Sequence, residues 1–400
     1  MLTTGPVLSA CQAIGRQRVL TNSPKVLTPN FERSLPSARE FPNADPLKVL
    51  HVVGARPNFP KLAPVYRAAA SAGLRQVIMH TGQHYDDALS DALFRDLGIP
   101  QPDENLAVGS ASHAVQTARI MEGLEPAFLA HAPDWVLVYG DVNSTVAAAL
   151  VAAKLGIRVA HVEAGLRSHD RSMPEEINRI VTDRLSDLLL TPSRDADQAL
   201  RREGEDEGKI VFVGNVMIDS LFYALAHQRE SNGSAALQDG TGAVVVTLHR
   251  PSNVDEPVRL RAIASALREI ATERSVIFPA HPRTMARLRA WDISLDGVEV
   301  SEPLSYGVMA ALVERSHVVI TDSGGLQEET TALGVPCLTV RENTERPVTI
   351  TEGTNTLVPN PDDLPAFVRL ASRSQAQKQC EGWDGHAGIR IVAALVARGA

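Results

Sequence analysis

His317-Val318-Val319-Ile320-Thr321-Asp322-Ser323-Gly324-Gly325-Leu326-Gln327-Glu328-Glu329 decides the fold of this chain: a β-branched run, a small-residue turn, then a helical stretch closed by Gly334. It reads as a strand feeding a helix whose first turn accepts a phosphate. Gly324 and Gly325 let a ligand approach the backbone, Ser323 adds a hydroxyl, and the unpaired N–H groups of the first turn face an anion with the positive end of the helix dipole behind them. Glu329 follows about one and a half turns on, where a carboxylate accepts hydrogen bonds from a sugar's hydroxyls. A lone Gly-Gly pair favours an ordinary βα turn instead. The paired acids, and the other motifs of the chain, lift the phosphate reading above it.

Working outward, the strand at 318–321 is one of several with the same character. Residues 48–53, 76–80, 135–139 and 158–162 are apolar on consecutive positions, with helical stretches at 59–70 and 145–154 between them and Gly156 closing the second. Such strands belong to a parallel sheet covered on both faces. Residues 174–188 carry apolar side chains at 177, 180, 181, 185 and 188, a helical stripe with Pro174 near its start, where the missing N–H costs nothing. A second set of strands runs through 243–248, 275–278 and 298–300 to 318–321. The fold class is therefore α/β, two doubly wound Rossmann-like domains facing a cleft, with the changeover at 214–218, the helix after it and the polar loop 231–241.

Composition sets the outer bounds. Four hundred residues exceed what one core usually organises, and 44% apolar content suffices for two. A net charge of -8 gives no general attraction to nucleic acid or to an anionic membrane, which leaves a small molecule as the expected partner. Cys11, Cys337 and Cys380 are odd in number and lack metal-ligand spacing, which fits a reducing, cytoplasmic compartment. No apolar run approaches the roughly 18 residues a membrane span needs. Residues 1–46, rich in proline and glycine with scattered arginines, read as a disordered extension outside the fold or an upstream start, with only a weak likeness to a transit peptide.

Ligands of doubly wound sheets bind beyond the carboxyl ends of the strands. The positions there are Arg56 and Lys61, Asp141, Glu163, His249 and Arg250, His281, and Ser323 with its glycines, while Glu175 opens the helix after Glu163. Acids gathered in a cleft raise one another's pKa, which lets a carboxyl group give or take a proton near neutral pH. Two plainer readings stand beside this: Asp141 as the cap of the next helix, and Glu175 as a first-turn acid favoured by the dipole. Glu163 has no such cap role. Arg56 and Lys61 read either as a solvated loop or as ligand cations, His249-Arg250 suits a diphosphate, and His281 in Pro279-Ala280-His281-Pro282 reads equally as a histidine bonded to backbone.

Eight motifs then occur in one order: Gly54-Ala55-Arg56-Pro57-Asn58-Phe59-Pro60-Lys61, Thr81-Gly82-Gln83-His84, Gly140-Asp141, His161-Val162-Glu163-Ala164-Gly165-Leu166-Arg167, Pro174-Glu175-Glu176-Ile177-Asn178-Arg179, Leu248-His249-Arg250, the opening Asp322–Glu329 segment, and Thr344-Glu345-Arg346-Pro347. Together they resemble the non-hydrolysing UDP-N-acetylglucosamine 2-epimerases from about residue 47 to the end, and Trp383-Asp384-Gly385 resembles that family's closing segment. The resemblance implies the two-domain architecture of GT-B nucleotide-sugar glycosyltransferases: an N-terminal domain over 47–215, a UDP-binding domain over 216–376, and a last helix, about 377–400, that returns to the first domain. It implies a homodimer, a UDP-sugar substrate, and neither metal nor nicotinamide cofactor. The implied reaction converts UDP-N-acetylglucosamine reversibly to UDP-N-acetylmannosamine through an enzyme-bound 2-acetamidoglucal, supplying surface polysaccharide synthesis.

By the same resemblance, Asp141, Glu163 and Glu175 match the family's acid/base carboxylates and His249 its histidine beside the diphosphate. Arg56, Lys61, Ser323, Gly324, Gly325 and Arg346 match positions that hold the diphosphate or neighbouring groups, and Glu329 the carboxylate on the ribose hydroxyls. Gln83 and His281 match contacts to a second, activating UDP-N-acetylglucosamine, although Tyr85-Asp86 departs from that loop. Ala55, Asn58 and Ser252 depart from residues common in the family. These departures leave open a related UDP-diacetamido-uronic acid as substrate. A hydrolysing epimerase, a GT-B glycosyltransferase and a non-catalytic UDP-sugar-binding regulator are the other readings, the last opposed by the full set of carboxylates.

Overall fold

A computed structural model describes residues 46–82, 93–231, 242–373 and 380–399, all of which fall in one compact unit. Two parallel sheets organise them. The first joins β1 (Lys48–Val53), β2 (Arg75–His80), β3 (Glu104–Asn105), β4 (Trp135–Tyr139), β5 (Arg158–Val162), β6 (Leu188–Thr191) and β7 (Ile210–Phe212) in the order β3-β2-β1-β4-β5-β6-β7. The second joins β8 (Val244–Thr247), β9 (Val276–Pro279), β10 (Glu299–Ser301), β11 (Val318–Thr321), β12 (Cys337–Thr339) and β13 (Asn355–Leu357) in the order β10-β9-β8-β11-β12-β13. In each sheet the order reverses once, between β1 and β4 and between β8 and β11, and these are the switch points beside which doubly wound sheets bind ligands.

The apolar strands are buried on both faces. In β1 the five residues Val49–Val53 are all enclosed, including His51, which burial pushes down to a pKa of about 4 and which bonds to the Tyr139 hydroxyl at 2.7 Å. One face of the first sheet packs Val49, Val53 and Ile78 against Phe59 and Leu62 of the helix Phe59–Ser71, and against Ile391, Val392 and Leu395 of the last helix, Ala387–Gly399. Two contacts fix that last helix. Asp219 accepts the backbone N–H groups of Ala387 and Gly388, capping it, and a Cβ on Gly388 would meet the Pro64 carbonyl oxygen at 2.6 Å. No helix of the described residues is long and apolar enough to cross a membrane.

Two sequence expectations change, and five strands go unread. The stripe over 174–188 divides: the helix stops at Leu185, Ser186 turns extended, and Leu188 opens β6. Its apolar side chain fits both periods, which is why the pattern ran on. Strands β3, β6, β7, β12 and β13, of two to four residues, are too short to stand out as apolar runs. Asp141 caps nothing: the helix Asn143–Lys154 has Val142 at its N-cap, and the Asp141 carboxylate goes elsewhere.

Candidate active site

Loops from the carboxyl ends of both sheets meet at a cleft of about 950 Å³. From the first sheet come Arg56 and Lys61 after β1, Asp141 after β4, and Glu175 with Arg179 from the helix Pro174–Leu185. From the second come His249 and Arg250 after β8, His281 after β9, Ser323, Gly324 and Gly325 after β11, then Glu329, Tyr306 and Arg346. Of the candidate site residues, Gln83 lies outside the described residues, as do His84, Tyr85 and Asp86 beside it, and Glu163 sits behind the wall rather than on it.

Glu163 is the most constrained of them. It is 7% exposed and holds a left-handed backbone, φ +75°, where an L-residue meets steric strain that its surroundings must outweigh. Its carboxylate pairs with the Lys61 ammonium and, at 3.1 Å, with the Arg346 guanidinium, so cations from both sheets converge on it. Burial would raise its pKa. The two cations, Lys61 before Arg346, outweigh burial and hold it below the ordinary carboxylate value.

Arg346 serves more than one carboxylate. Besides Glu163 it meets Glu328 through Nε at 2.9 Å and Glu345 through Nη1, so its guanidinium is spread over three acids. Glu345 is driven far down by Arg346 and Arg341 despite its burial. Glu328, by contrast, is raised to about 7 because burial prevails over Arg346. This cluster also revises the role of one glycine: a Cβ on Gly324 would strike Arg346 Nη1 at 2.5 Å, whereas one on Gly325 meets nothing closer than Met217 Cε at 3.7 Å. Gly324 makes room for the arginine, and Gly325 leaves the cleft side open.

The phosphate-type turn spends one donor on itself, the Ser323 N–H on Thr321 Oγ1 at 2.9 Å. Ser323 is the N-cap of the helix Gly324–Leu333, yet its hydroxyl makes no capping bond to that helix. Asp322, fully buried, accepts the backbone N–H groups of His249 and Arg250 and the Asn253 amide, and pairs with His249 Nδ1 at 2.9 Å. The Asp322 carboxylate thus aims the His249-Arg250 pair. Burial raises its pKa less than these donors, His249 first, lower it. Further along the helix, burial pushes Glu329 to about 7 while the Tyr306 hydroxyl donates to it at 2.9 Å.

Across the cleft, Arg179 donates to Asp141 Oδ2 at 2.9 Å and to Glu176 at 3.2 Å, and Asn178 donates to the Asp141 carbonyl. Glu175, next in sequence to Glu176, is exposed to the cleft. His281 does two things at once: it lines the cleft, and its Nδ1 accepts the Arg283 N–H as the cap of the helix Pro282–Ala290. Burial, then His249 and Arg56, lower its pKa, consistent with that accepting nitrogen. Sequence reasoning missed Arg179, Tyr306, Asp322, Glu328 and Glu345 as site residues. Arg179 had a signal, since it stands at i+3 from Glu176 on a helix, whereas nothing in the chain links Tyr306 to Glu329.

The cleft therefore gathers cations and a helix N-terminus around one ligand-sized space, with the Asp141 and Glu175 carboxylates on its wall and Glu163 behind it. Comparisons with known proteins agree in kind. A family model described as UDP-N-acetylglucosamine 2-epimerase matches residues 67–396. A UDP-2,3-diacetamido-2,3-dideoxy-D-glucuronate 2-epimerase of Pseudomonas aeruginosa is 44% identical over 86% of this chain and 98% of its own. A UDP-N-acetylglucosamine 2-epimerase of Methanocaldococcus jannaschii is 38% identical over 87% of this chain and 99% of its own. The crystal structure of that enzyme in complex with UDP-GlcNAc and UDP superposes with a TM-score of 0.80, covering 88% of this chain and 100% of the other. A glycosyltransferase of kitacinnamycin, 16% identical with a TM-score of 0.57, shares the fold alone.

Proposed function

The chain belongs to the UDP-N-acetylglucosamine 2-epimerase family, and from that premise we propose that it inverts C2 of UDP-N-acetylglucosamine reversibly, giving UDP-N-acetylmannosamine for surface polysaccharide synthesis. One carboxylate takes the C2 proton, the C2–H electron pair forms the C1–C2 double bond, and the C1–O bond breaks to release UDP, leaving 2-acetamidoglucal. A second acid then delivers a proton to the opposite face of C2 while UDP adds back at C1. No atom is gained or lost, and the C2 hydrogen is replaced from solvent.

The observation that carries this reading is Glu163, strained at φ +75° and held as a buried carboxylate between cations of both sheets, behind a wall that carries Asp141 and Glu175. Strained backbone of that kind clusters where a side chain must be aimed. Asp141, Glu163 and Glu175 supply the acid/base groups. The diphosphate is received by Arg56, Lys61, His249 and the free N–H groups beyond Ser323, and the departing UDP is stabilised there as its charge develops. Glu329 takes the ribose hydroxyls. On this reading the chain forms an N-terminal domain over 47–215, joined by the last helix, about 377–400, and a UDP-binding domain over 216–376, each carrying one of the two sheets.

A second substrate is favoured by the 44% identity to the diacetamido-glucuronate epimerase, and Arg56, exposed in the cleft with no carboxylate partner among the described residues, suits a C6 carboxylate. Incubation in heavy water with UDP-N-acetylglucosamine, or with UDP-2,3-diacetamido-2,3-dideoxy-D-glucuronate, separates the cases. Deuterium at C2 of recovered UDP-N-acetylglucosamine supports the leading substrate, and exchange confined to the uronate transfers the reading to that sugar. Release of free sugar indicates hydrolysis. Absence of exchange in both overturns the epimerase reading.

A further inference from the structure

His161 lies at the end of β5, fully buried, and belongs to none of the acid/base or phosphate groups above. Its Nδ1 stands 2.6 Å from Asp183 Oδ1, and its Nε2 stands 2.8 Å from the Gly140 carbonyl oxygen. A carbonyl oxygen only accepts. An ionised carboxylate also only accepts, so a neutral ring would leave one nitrogen lone pair facing an oxygen lone pair at close range. A proton on Asp183 instead is opposed by its surroundings: Oδ2 already receives the Gly165 N–H at 3.1 Å and Arg167 Nη2 at 2.8 Å. Burial raises the pKa of Asp183, but His161 and then Arg167 prevail and hold it low.

Three elements meet at this ring. Gly140 is the turn that presents Asp141, and it takes φ +65° with Lys61 packed where its Cβ would be. Asp183 lies on the helix Pro174–Leu185, which presents Glu175. Glu163 stands two residues beyond His161 on the same strand end, and the ring is among the cationic influences that lower its pKa. We propose that His161 is a buried imidazolium, donating from both nitrogens, which positions the three carboxylates relative to one another by tying the Asp141 turn, the Glu163 strand end and the Glu175 helix to a single charge. This rests on the acid/base roles given to those carboxylates above. Asp183, Glu203 and Glu163 on one side and Arg167, Lys61 and Arg346 on the other are the charged groups linked around it, three of each sign, so a protonated ring adds one positive charge to a balanced set.

Nitrogen NMR of the histidine-labelled protein tests the charge without any turnover, with His161→Gln assigning the resonance. Two protonated ring nitrogens at pH 7.5 are expected, and one bare nitrogen overturns the proposal. The positioning role is read kinetically in His161→Gln and Asp183→Asn. Each should lose about 10²-fold in kcat, as displacement of a reacting group by roughly an ångström does, with KM within about threefold of wild type. In His161→Gln the acid limb of the kcat profile should also move to higher pH, because a carboxylate beside fewer cations binds its proton more tightly. A variant that melts earlier yet keeps kcat and its pH profile shows a merely structural histidine and sinks the positioning role. If His161→Gln does not fold, Asp183→Asn and the wild-type resonances decide. Wild-type protein that exchanges no C2 hydrogen refutes the epimerase reading separately, since the NMR result stands without it.

Discussion

Substitution at position 163 separates the charge of the site from its backbone. In Glu163→Gln, Arg346 retains Glu328 and Glu345, but Lys61, 6% exposed, has no other carboxylate partner among the described residues. Stripping one member from a buried ion pair costs about 3–5 kcal/mol, chiefly because the other charge stays behind. The lower end applies here, since one cation of two is left alone, so urea unfolding at pH 7 should show a loss of about 3 kcal/mol. Because burial is outweighed by Lys61 and Arg346, the folded pKa of Glu163 lies below 4.5, and its contribution is present above that value and lost as pH falls through the folded one. The gap between wild type and the Gln variant should therefore narrow toward pH 3. The backbone term has the opposite sign. A left-handed φ costs an L-residue about 1–2 kcal/mol that glycine avoids, and glycine's looser unfolded chain returns part of this. Glu163→Gly should thus exceed Glu163→Ala by about 1 kcal/mol, with both inactive. An alanine variant as stable as the glycine one refutes the strain argument, and a Gln variant within about 1 kcal/mol of wild type refutes the charge argument.

The other expectations concern the cleft walls. Asp141→Asn and Glu175→Gln should each lose at least about 10²-fold in turnover with calorimetric UDP affinity little changed, and an amide keeping more than about a tenth of wild-type turnover removes that residue from the acid/base set. Gly325→Ala should fold as wild type, since its Cβ has room, yet weaken UDP if the diphosphate sits on this helix terminus; unchanged affinity in calorimetry moves the phosphate elsewhere. Gly324→Val should instead lose both UDP affinity and stability, because its side chain displaces Arg346 from its three carboxylates. Burial raises Glu329 to about 7, so the folded protein holds a proton that the unfolded chain releases above about 4.5. Stability from that group is full below 4.5 and lost as pH rises through 7, so between pH 5 and 8 wild type should lose up to about 3 kcal/mol more than Glu329→Gln, and parallel losses would contradict the assignment.

How far the sequence spoke depended on whether the determining contacts were local. Strand β11 and the helix after it are set by a run of β-branched residues, a small turn and Gly334 at φ +66°, all within seventeen residues, and they lie as expected at the switch point of the second sheet. The edge strands β3, β7 and β13 have two or three residues each and exist because a neighbour's backbone is there to pair with, as Met79 and His80 are for Glu104 and Asn105. No periodicity of two or three residues announces that. Leu188 shows the same limit from the other side, an apolar residue that suits helix and strand alike until Ser186 ends the helix.

At the site, strand-end positions told which residues face the cleft but not what each one answers to. Glu163 and Arg346 are 183 residues apart, and their pairing follows only from two sheets presenting their carboxyl ends to one another. That pairing changes what the individual residues do. Arg346, alone on paper a cation for a diphosphate, spends its guanidinium on Glu163, Glu328 and Glu345, while from the first sheet Arg56 is left to meet an anion and Lys61 is shared with Glu163. Gly324, alone on paper a place for a ligand, is the space through which Arg346 passes, so the open face of the turn is at Gly325. A ligand with two phosphates drawn to Lys61 would compete with Glu163 for the same ammonium, and loosening that pair frees the carboxylate at the moment substrate arrives. On the proposed reading, a diphosphate that took the Lys61 ammonium would make Glu163 more basic, since Lys61 is the first of the cations that hold its pKa down.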